Sequence, residues 1–245
     1  MPGDLTIILR GVTDHLEASD LRTTHWDRVY QDSKSDAVSW YQPEPNVSLE
    51  MIDHLGLSPR TVTIDVGGGA SLLVDRLLAR GFTDVTVLDI SAVALRASQQ
   101  RVGDDAPVHW LIEDLLEWKP TRTYDLWHDR AVFHFLADRD VERYLDLLRR
   151  ALSPNGAIIL ATFATDGPEY CSGLPVNRYS PLDLEAKLGA GFETVQIERE
   201  IHATPGGIQQ PFSWIAVRAY SVDHCSTARP VGVQRDCSSQ LHGGN

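Results

Sequence analysis

Thr63-Ile64-Asp65-Val66-Gly67-Gly68-Gly69-Ala70-Ser71 passes from β-branched residues through an acid into three successive glycines. Thr61 to Val66 has the composition of a buried strand, and Ser71 to Arg80 reads as a helix ending at Gly81, which makes the glycines the turn between them. Without Cβ atoms, such a turn lets the backbone approach a ligand closely at a helix start, where unpaired N–H groups collect. Two common ligand-binding turns do not fit. Leu72 stands where the third glycine of G-x-G-x-x-G belongs, which argues against a nicotinamide dinucleotide, and no Gly-Lys-Ser/Thr follows to make a phosphate-binding P-loop.

From Pro59 onward, short β-branched runs alternate with amphipathic helical stretches, the pattern of a parallel sheet covered on both faces. Val85 to Leu88 is the second expected strand and Ala92 to Arg101 the second helix. Val108 to Ile112 and Tyr124 to His128 follow as strands, then Asp140 to Leu152 as a helix. Ala157 to Phe163 is the fifth strand, with Ser153-Pro154-Asn155-Gly156 as the turn before it. Glu193 to Ile201 and Phe212 to Ala219, separated by a Pro-Gly-Gly turn at Pro205 to Gly207, read as an antiparallel hairpin. The expected fold is α/β, with a seven-stranded, mostly parallel sheet, an antiparallel last strand and helices on both faces.

Residues 59–220 make up this ligand-binding domain. Before it, residues 1–58 hold Trp26, Tyr30, Trp40 and Tyr41 at helix-compatible spacings, with Pro43 and Pro45 breaking the run. They are expected to form a helical layer that either packs on the sheet edge or also acts as a lid over the crevice where ligands bind. Residues 221–245, rich in Ser, Gly, Gln and Arg, read as a disordered tail.

Val85-Thr86-Val87-Leu88-Asp89-Ile90-Ser91 ends its strand on an acid. A carboxylate there can accept both hydroxyls of a ribose, as in dinucleotide folds, with Ile90 beside it. Asp89 could instead cap the next helix, although Ser91 is able to do that.

The order acid, spacer, Gly-x-Gly at Asp65, Gly67 and Gly69, with Gly68 between, resembles the first motif of the class I, Rossmann-like S-adenosylmethionine-dependent methyltransferases. Ser71 replaces that motif's third glycine. The resemblance implies S-adenosylmethionine as cofactor, bound through the Asp65 to Gly69 turn and Asp89. It also implies that Asp114, in Ile112-Glu113-Asp114-Leu115-Leu116, accepts from the adenine amino group with Leu115 flanking the ring, Glu113 being a solvated neighbour. The end of the fourth strand lies next to the methyl donor in that family, which makes His128 a cofactor contact and His128 and Asp129 catalytic candidates. Asp129 and Arg130 could equally form a structural ion pair, and His134 a core histidine. The long segment Ala164 to Ser180 is expected to cap the acceptor with Tyr170 and Arg178, and the N-terminal layer to contribute Trp40 and Tyr41. Cys171 is given no specific role.

The formal charge of the 245-residue chain is −12, from 34 acidic and 22 basic residues, which disfavours nucleic acid and anionic membrane surfaces as partners. Cys171, Cys225 and Cys237 are too few and too scattered for a disulfide framework or a zinc cluster, so no metal is expected. Met1 to Arg10 lacks the basic start and long apolar core of an export signal, and the expected compartment is the cytoplasm. The reading is a methyltransferase acting on a small molecule. The alternatives are a protein lysine N-methyltransferase and a non-catalytic S-adenosylmethionine-binding subunit.

Overall fold

The computed structural model describes residues 5–220, with side chains from Ser19 onward. The tail expected at 221–245, with Cys225 and Cys237, lies outside the described residues. Two helices, α1 (Leu5–Asp32) and α2 (Asn46–His54), precede the sheet. Then come β1 (Thr63–Val66), α3 (Leu73–Ala79), β2 (Val85–Asp89), α4 (Ala92–Val102), β3 (Val108–Ile112) and β4 (Tyr124–Arg130). A single 3-10 turn (Phe133–Phe135) leads into α5 (Asp138–Ala151) and β5 (Leu152–Phe163). The chain continues through β6 (Tyr170–Cys171), β7 (Leu174–Pro175), α6 (Pro181–Leu188), β8 (Phe192–Ala203) and β9 (Gln209–Ala219).

Seven strands form one sheet in the order β3-β2-β1-β4-β5-β9-β8, and β6 and β7 pair in a separate ribbon. The pairs among β1 to β5 are parallel, whereas β9 is antiparallel to both β5 and β8. This is the expected Rossmann-like class. The strand order reverses between β1 and β4, and the crevice at the carboxyl ends of these two strands is where such sheets hold ligands.

β1 and β2 are buried at every position, as strands covered on both faces must be. One face packs Ile64, Trp127, Ile158 and Leu160 against α5 and α6. The other packs Val87, Leu126 and Ile159 against Leu49 and Ile52 of α2 and Leu73 and Leu77 of α3. Helix α5 presents Val141, Tyr144, Leu145, Leu148 and Ala151 to the sheet, spaced three and four residues apart.

Four details differ from the sequence expectation. β4 continues to Arg130, so His128 and Asp129 lie within a strand and point to opposite faces. Ser153 to Gly156 is a bulge inside β5, between the pairs Tyr124 with Leu152 and Leu126 with Ala157, and Asn155 takes a φ of 61° there. The segment after β5 folds its Ser172-Gly173 turn into the β6–β7 ribbon. Helix α6 was not expected; Ser180 caps it reciprocally with Asp183, and Pro181 opens its first turn.

Candidate active site

At the carboxyl edge of β1 the chain turns through Gly67 to Gly69 beneath helix α1. Gly69 has a φ of +47°, and a Cβ there would stand 2.7 Å from the Tyr30 hydroxyl and 3.0 Å from Asp89 Oδ2. Glycine is therefore demanded by both the backbone angle and the neighbours. A cavity of about 230 Å³ opens beside the turn. Asp89, Ile90, Asp114 and Leu115 line its β2–β3 end, Phe163, Phe212, Gln210 and Cys171 its β5–β9 end, and Trp26 and Tyr30 come from α1. A smaller cavity of about 50 Å³ adjoins it, lined by Ser48, Asp65, Gly68, His128 and Tyr41. Gly67, Trp40 and Arg130 line both.

Asp89 is buried at the end of β2, and its Oδ1 accepts from the Ser91 backbone N–H at 2.8 Å. Burial pushes its carboxyl up to about 7, helped by the charges of Asp65 and Asp27 and opposed by backbone hydrogen bonds from Ser91 and Gly69. The cap of α4 belongs to Ser91, whose hydroxyl accepts from Ala94 N–H at 3.1 Å. Asp114 also reaches the cavity, but its Oδ2 is held by Arg22, with Nη2 at 2.5 Å and Nε at 3.0 Å, while Oδ1 accepts from Leu116 N–H at 3.0 Å.

The two expected catalytic residues are not at the larger cavity. His128 belongs to the smaller one, with Nδ1 2.7 Å from Asp65 Oδ1 and Nε2 3.0 Å from Ser48 Oγ. Asp129 lines neither. It faces α5, where its carboxylate accepts from the Tyr144 hydroxyl at 2.7 Å and from the Val132 and Phe133 N–H groups at 2.8 and 3.4 Å. Burial raises its carboxyl to about 6, opposed mainly by the Tyr144 hydrogen bond. The expected general base is thus a structural acceptor, because strand alternation turns it away from the ligand side. The alternative pairing of Asp129 with Arg130 is also absent, since the two side chains project from opposite faces.

Of the expected acceptor contacts, Trp40 and Tyr41 line cavities, but Tyr170 and Arg178 do not. The β6 alternation puts Tyr170 outside, 64 % exposed, and turns Cys171 inward. Burial pushes the Cys171 thiol up to about 11. Arg178 is taken by Glu169 at 3.1 Å and the Gly167 carbonyl at 3.2 Å. His134 is a core side chain, its imidazole driven down to about 3 by burial and by Arg130.

The sequence reading missed Arg22 and the place of Arg130. Arg130 donates from Nη1 to the Trp40 carbonyl at 3.1 Å and lies with Cζ 4.6 Å from the Phe212 ring centroid. Its Nε and Nη2 are buried and have no hydrogen-bond partner among the described residues. Burial lowers its proton affinity, yet a guanidinium stays charged, so two desolvated donors face the ligand space. The polar ending of the fourth strand was the available signal. Tyr30 is half-buried, and desolvation of its hydroxyl together with the Asp89 charge beside it holds its phenol well above the ordinary value. Among the described residues, no group of His, Cys, Asp and Glu is arranged to hold a metal, and no helix is long and apolar enough to cross a membrane.

The sequence model of the family described as Methyltransferase domain matches residues 64–158, from β1 into β5. The chain is 24 % identical over 138 residues to a malonyl-[acyl-carrier protein] O-methyltransferase of Ilyobacter polytropus, covering 54 % of this chain and 52 % of that protein. It is 31 % identical over 137 residues to a tRNA U34 carboxymethyltransferase of Shewanella sediminis, covering 54 % and 41 %. The match thus spans about half the length of these curated relatives or less. Among solved structures, the Burkholderia thailandensis 1,6-didemethyltoxoflavin-N1-methyltransferase, with bound 1,6-didemethyltoxoflavin and S-adenosylhomocysteine, superposes with a TM-score of 0.62 at 20 % identity, covering 86 % of this chain and 90 % of that one.

Proposed function

We propose that the chain is a class I S-adenosylmethionine-dependent methyltransferase and that it methylates a small-molecule acceptor held over β5 and β9. One observation carries this reading. Asp89 and Asp114 line the β2–β3 end of the cavity, Phe163 and Phe212 wall its β5–β9 end, and Arg130 and Trp40 line it as well.

The residues suit the donor. Asp89 would accept the ribose hydroxyls, Ile90 and Leu115 would flank the adenine, and Asp114 would accept its amino group while sharing its carboxylate with Arg22. The turn at Gly67 to Gly69 admits the amino-acid end close to the backbone. The two unpartnered nitrogens of Arg130 suit its carboxylate, and Asp65 suits its ammonium.

When bound, S-adenosylmethionine supplies an activated methyl on a sulfonium leaving group. What the chain supplies is alignment and exclusion of water, which suffices for an in-line displacement. Trp26, Trp40, Phe135, Phe163 and Phe212 supply an apolar wall for that purpose. The acids lining the cavity, Asp89, Glu113, Asp114 and Asp140, belong to β2, the β3 loop and α5, and the lining residues that β5, β6 and β9 contribute, Phe163, Cys171, Gln210 and Phe212, include no carboxylate. The acceptor is therefore read as one that sheds its proton without a carboxylate base from this chain.

Isothermal titration with S-adenosylmethionine, S-adenosylhomocysteine and NAD tests the donor half, and transfer of labelled methyl to small acids, phenols, thiols and lysine-bearing peptides tests the acceptor half. Micromolar binding of both adenosyl ligands without NAD, and label on a small molecule, is expected. NAD binding alone would overturn the reading, and label on the peptides alone would move it to the lysine alternative.

A further inference from the structure

Ser48, His128 and Asp65 form a continuous hydrogen-bonded row. The Asp65 carboxylate receives Nδ1–H of His128 at 2.7 Å, and in the tautomer this dictates, Nε2 accepts from the Ser48 hydroxyl at 3.0 Å. All three are nearly inaccessible, at 1, 2 and 3 % exposure for Ser48, His128 and Asp65. The row crosses the fold. Ser48 lies on α2, while His128 and Asp65 are register partners on adjacent parallel strands.

The residue types are those of a hydrolytic triad, but the surroundings are not. The backbone donors of the glycine turn, Gly67 and Gly68 N–H, both point to the Leu88 carbonyl at 2.7 and 3.3 Å, so they make no oxyanion hole beside Ser48. A cavity of about 50 Å³ leaves no room for an acyl substrate.

The row ends instead under the donor turn. A Cβ on Gly68 would lie 2.5 Å from Asp65 Oδ2, which puts that oxygen directly beneath the turn while Oδ1 is fixed by His128. We infer that His128 is a positioning residue: clamped by Ser48, it sets the plane of the Asp65 carboxylate so that Oδ2 receives the ammonium of the donor's amino-acid end. This rests on the donor reading above. It also links α2 to the donor, so the helical layer preceding the sheet helps to select the ligand as well as to cover it.

The test compares two ligands that share adenosine and a thioether sulfur and differ in the amino acid: S-adenosylhomocysteine and 5′-deoxy-5′-methylthioadenosine. Calorimetry is done on the wild type first, then on His128→Phe, His128→Asn and Ser48→Ala. In His128→Phe the homocysteine ligand is expected to weaken about tenfold, the scale of one hydrogen bond to a charged group, while the methylthio ligand is unchanged. His128→Asn, whose amide can reach the position of Nδ1, is expected to recover most of the discrimination, and Ser48→Ala to fall between. Parallel weakening of both ligands, or unchanged discrimination in all three variants, would overturn the positioning role and leave the donor reading intact. Failure of the wild type to bind S-adenosylhomocysteine would overturn the donor reading itself.

Discussion

Arg22 of α1 grips Asp114 from across the mouth of the cavity, with two guanidinium nitrogens at 2.5 and 3.0 Å from a single carboxylate oxygen. The Asp114 side chain is 8 % exposed and Arg22 37 %, so the contact is half sheltered. Helix α1 is further fastened by Asp27, which accepts from the Ser91 hydroxyl at 2.6 Å. Arg22→Ala should therefore loosen α1 over the cavity more than the fold. Stopped-flow measurement with S-adenosylhomocysteine is expected to show faster association and a severalfold faster release, with a shift of at most about 1 kcal/mol in unfolding free energy, because solvent screens the pair. Unchanged ligand kinetics would detach α1 from the gating of this cavity.

Donor affinity should depend on pH through Asp89. Its carboxyl stands near 7 before ligand arrives, and only the ionised form accepts two hydroxyls with both oxygens. Affinity for S-adenosylhomocysteine should rise between about pH 6 and 8, and Asp89→Asn should bind about tenfold more weakly with that slope removed. Stability runs the other way. The folded value lies above the ordinary carboxyl value of 3.8, so the folded protein holds a proton that the unfolded chain has released, and stability falls as pH climbs from about 4 to 7. Melting curves at pH 5 and pH 8 should show Asp89→Asn gaining on the wild type at the higher pH.

Tyr144→Phe separates structure from chemistry. The Tyr144 hydroxyl donates to Asp129 at 2.7 Å and accepts from Trp127 Nε1 at 2.9 Å, deep between β4 and α5. Its loss leaves a buried carboxylate and an indole N–H each short of a partner, at a cost of about 2–3 kcal/mol in urea unfolding. Methyl transfer by the surviving folded fraction should be little changed. A large fall in kcat at unchanged stability would restore Asp129 to the chemistry.

Arg130→Met is expected to erase discrimination between S-adenosylmethionine and its decarboxylated analogue. The wild type should prefer the carboxylate-bearing ligand by at least about tenfold, the worth of a desolvated charge-assisted pair, and the variant should bind both alike in calorimetry. If the preference survives, the two free guanidinium nitrogens serve the acceptor end instead.

The strand-to-turn-to-helix segment at Asp65 to Ser71 and the acid at Asp89 were legible because their residue types are dictated by backbone shape and by the end of a buried strand. The seven strands were legible from β-branched runs, as was the hairpin from its Pro-Gly-Gly turn. Contacts made through long side chains across the fold were not. Arg22 meets Asp114 over 92 residues of sequence, and no local pattern announces it. Asp129 was misplaced by a single unread length: β4 extends two residues past its expected end, and the period of two then decides which of His128, Asp129 and Arg130 faces ligand. Tyr170 and Cys171 exchanged places for the same reason, once the expected loop had a ribbon in it.

The position of β9 affects how the molecule is made. It is the last strand among the described residues to leave the ribosome, yet it lies inside the sheet, between β5 and β8. The strands that carry Gly67 to Gly69, Asp89 and Arg130 can pair as they emerge, since β1 to β4 find all their neighbours among β1 to β5. The β5–β9 side cannot close, and β8 has no strand to join, until Phe212 and Trp214 arrive. Vectorial synthesis thus builds the half that carries Asp89 and Asp114 before the half closed by β9, and a nascent chain stalled before Gln209 would carry β5 as a bare apolar edge open to mispairing.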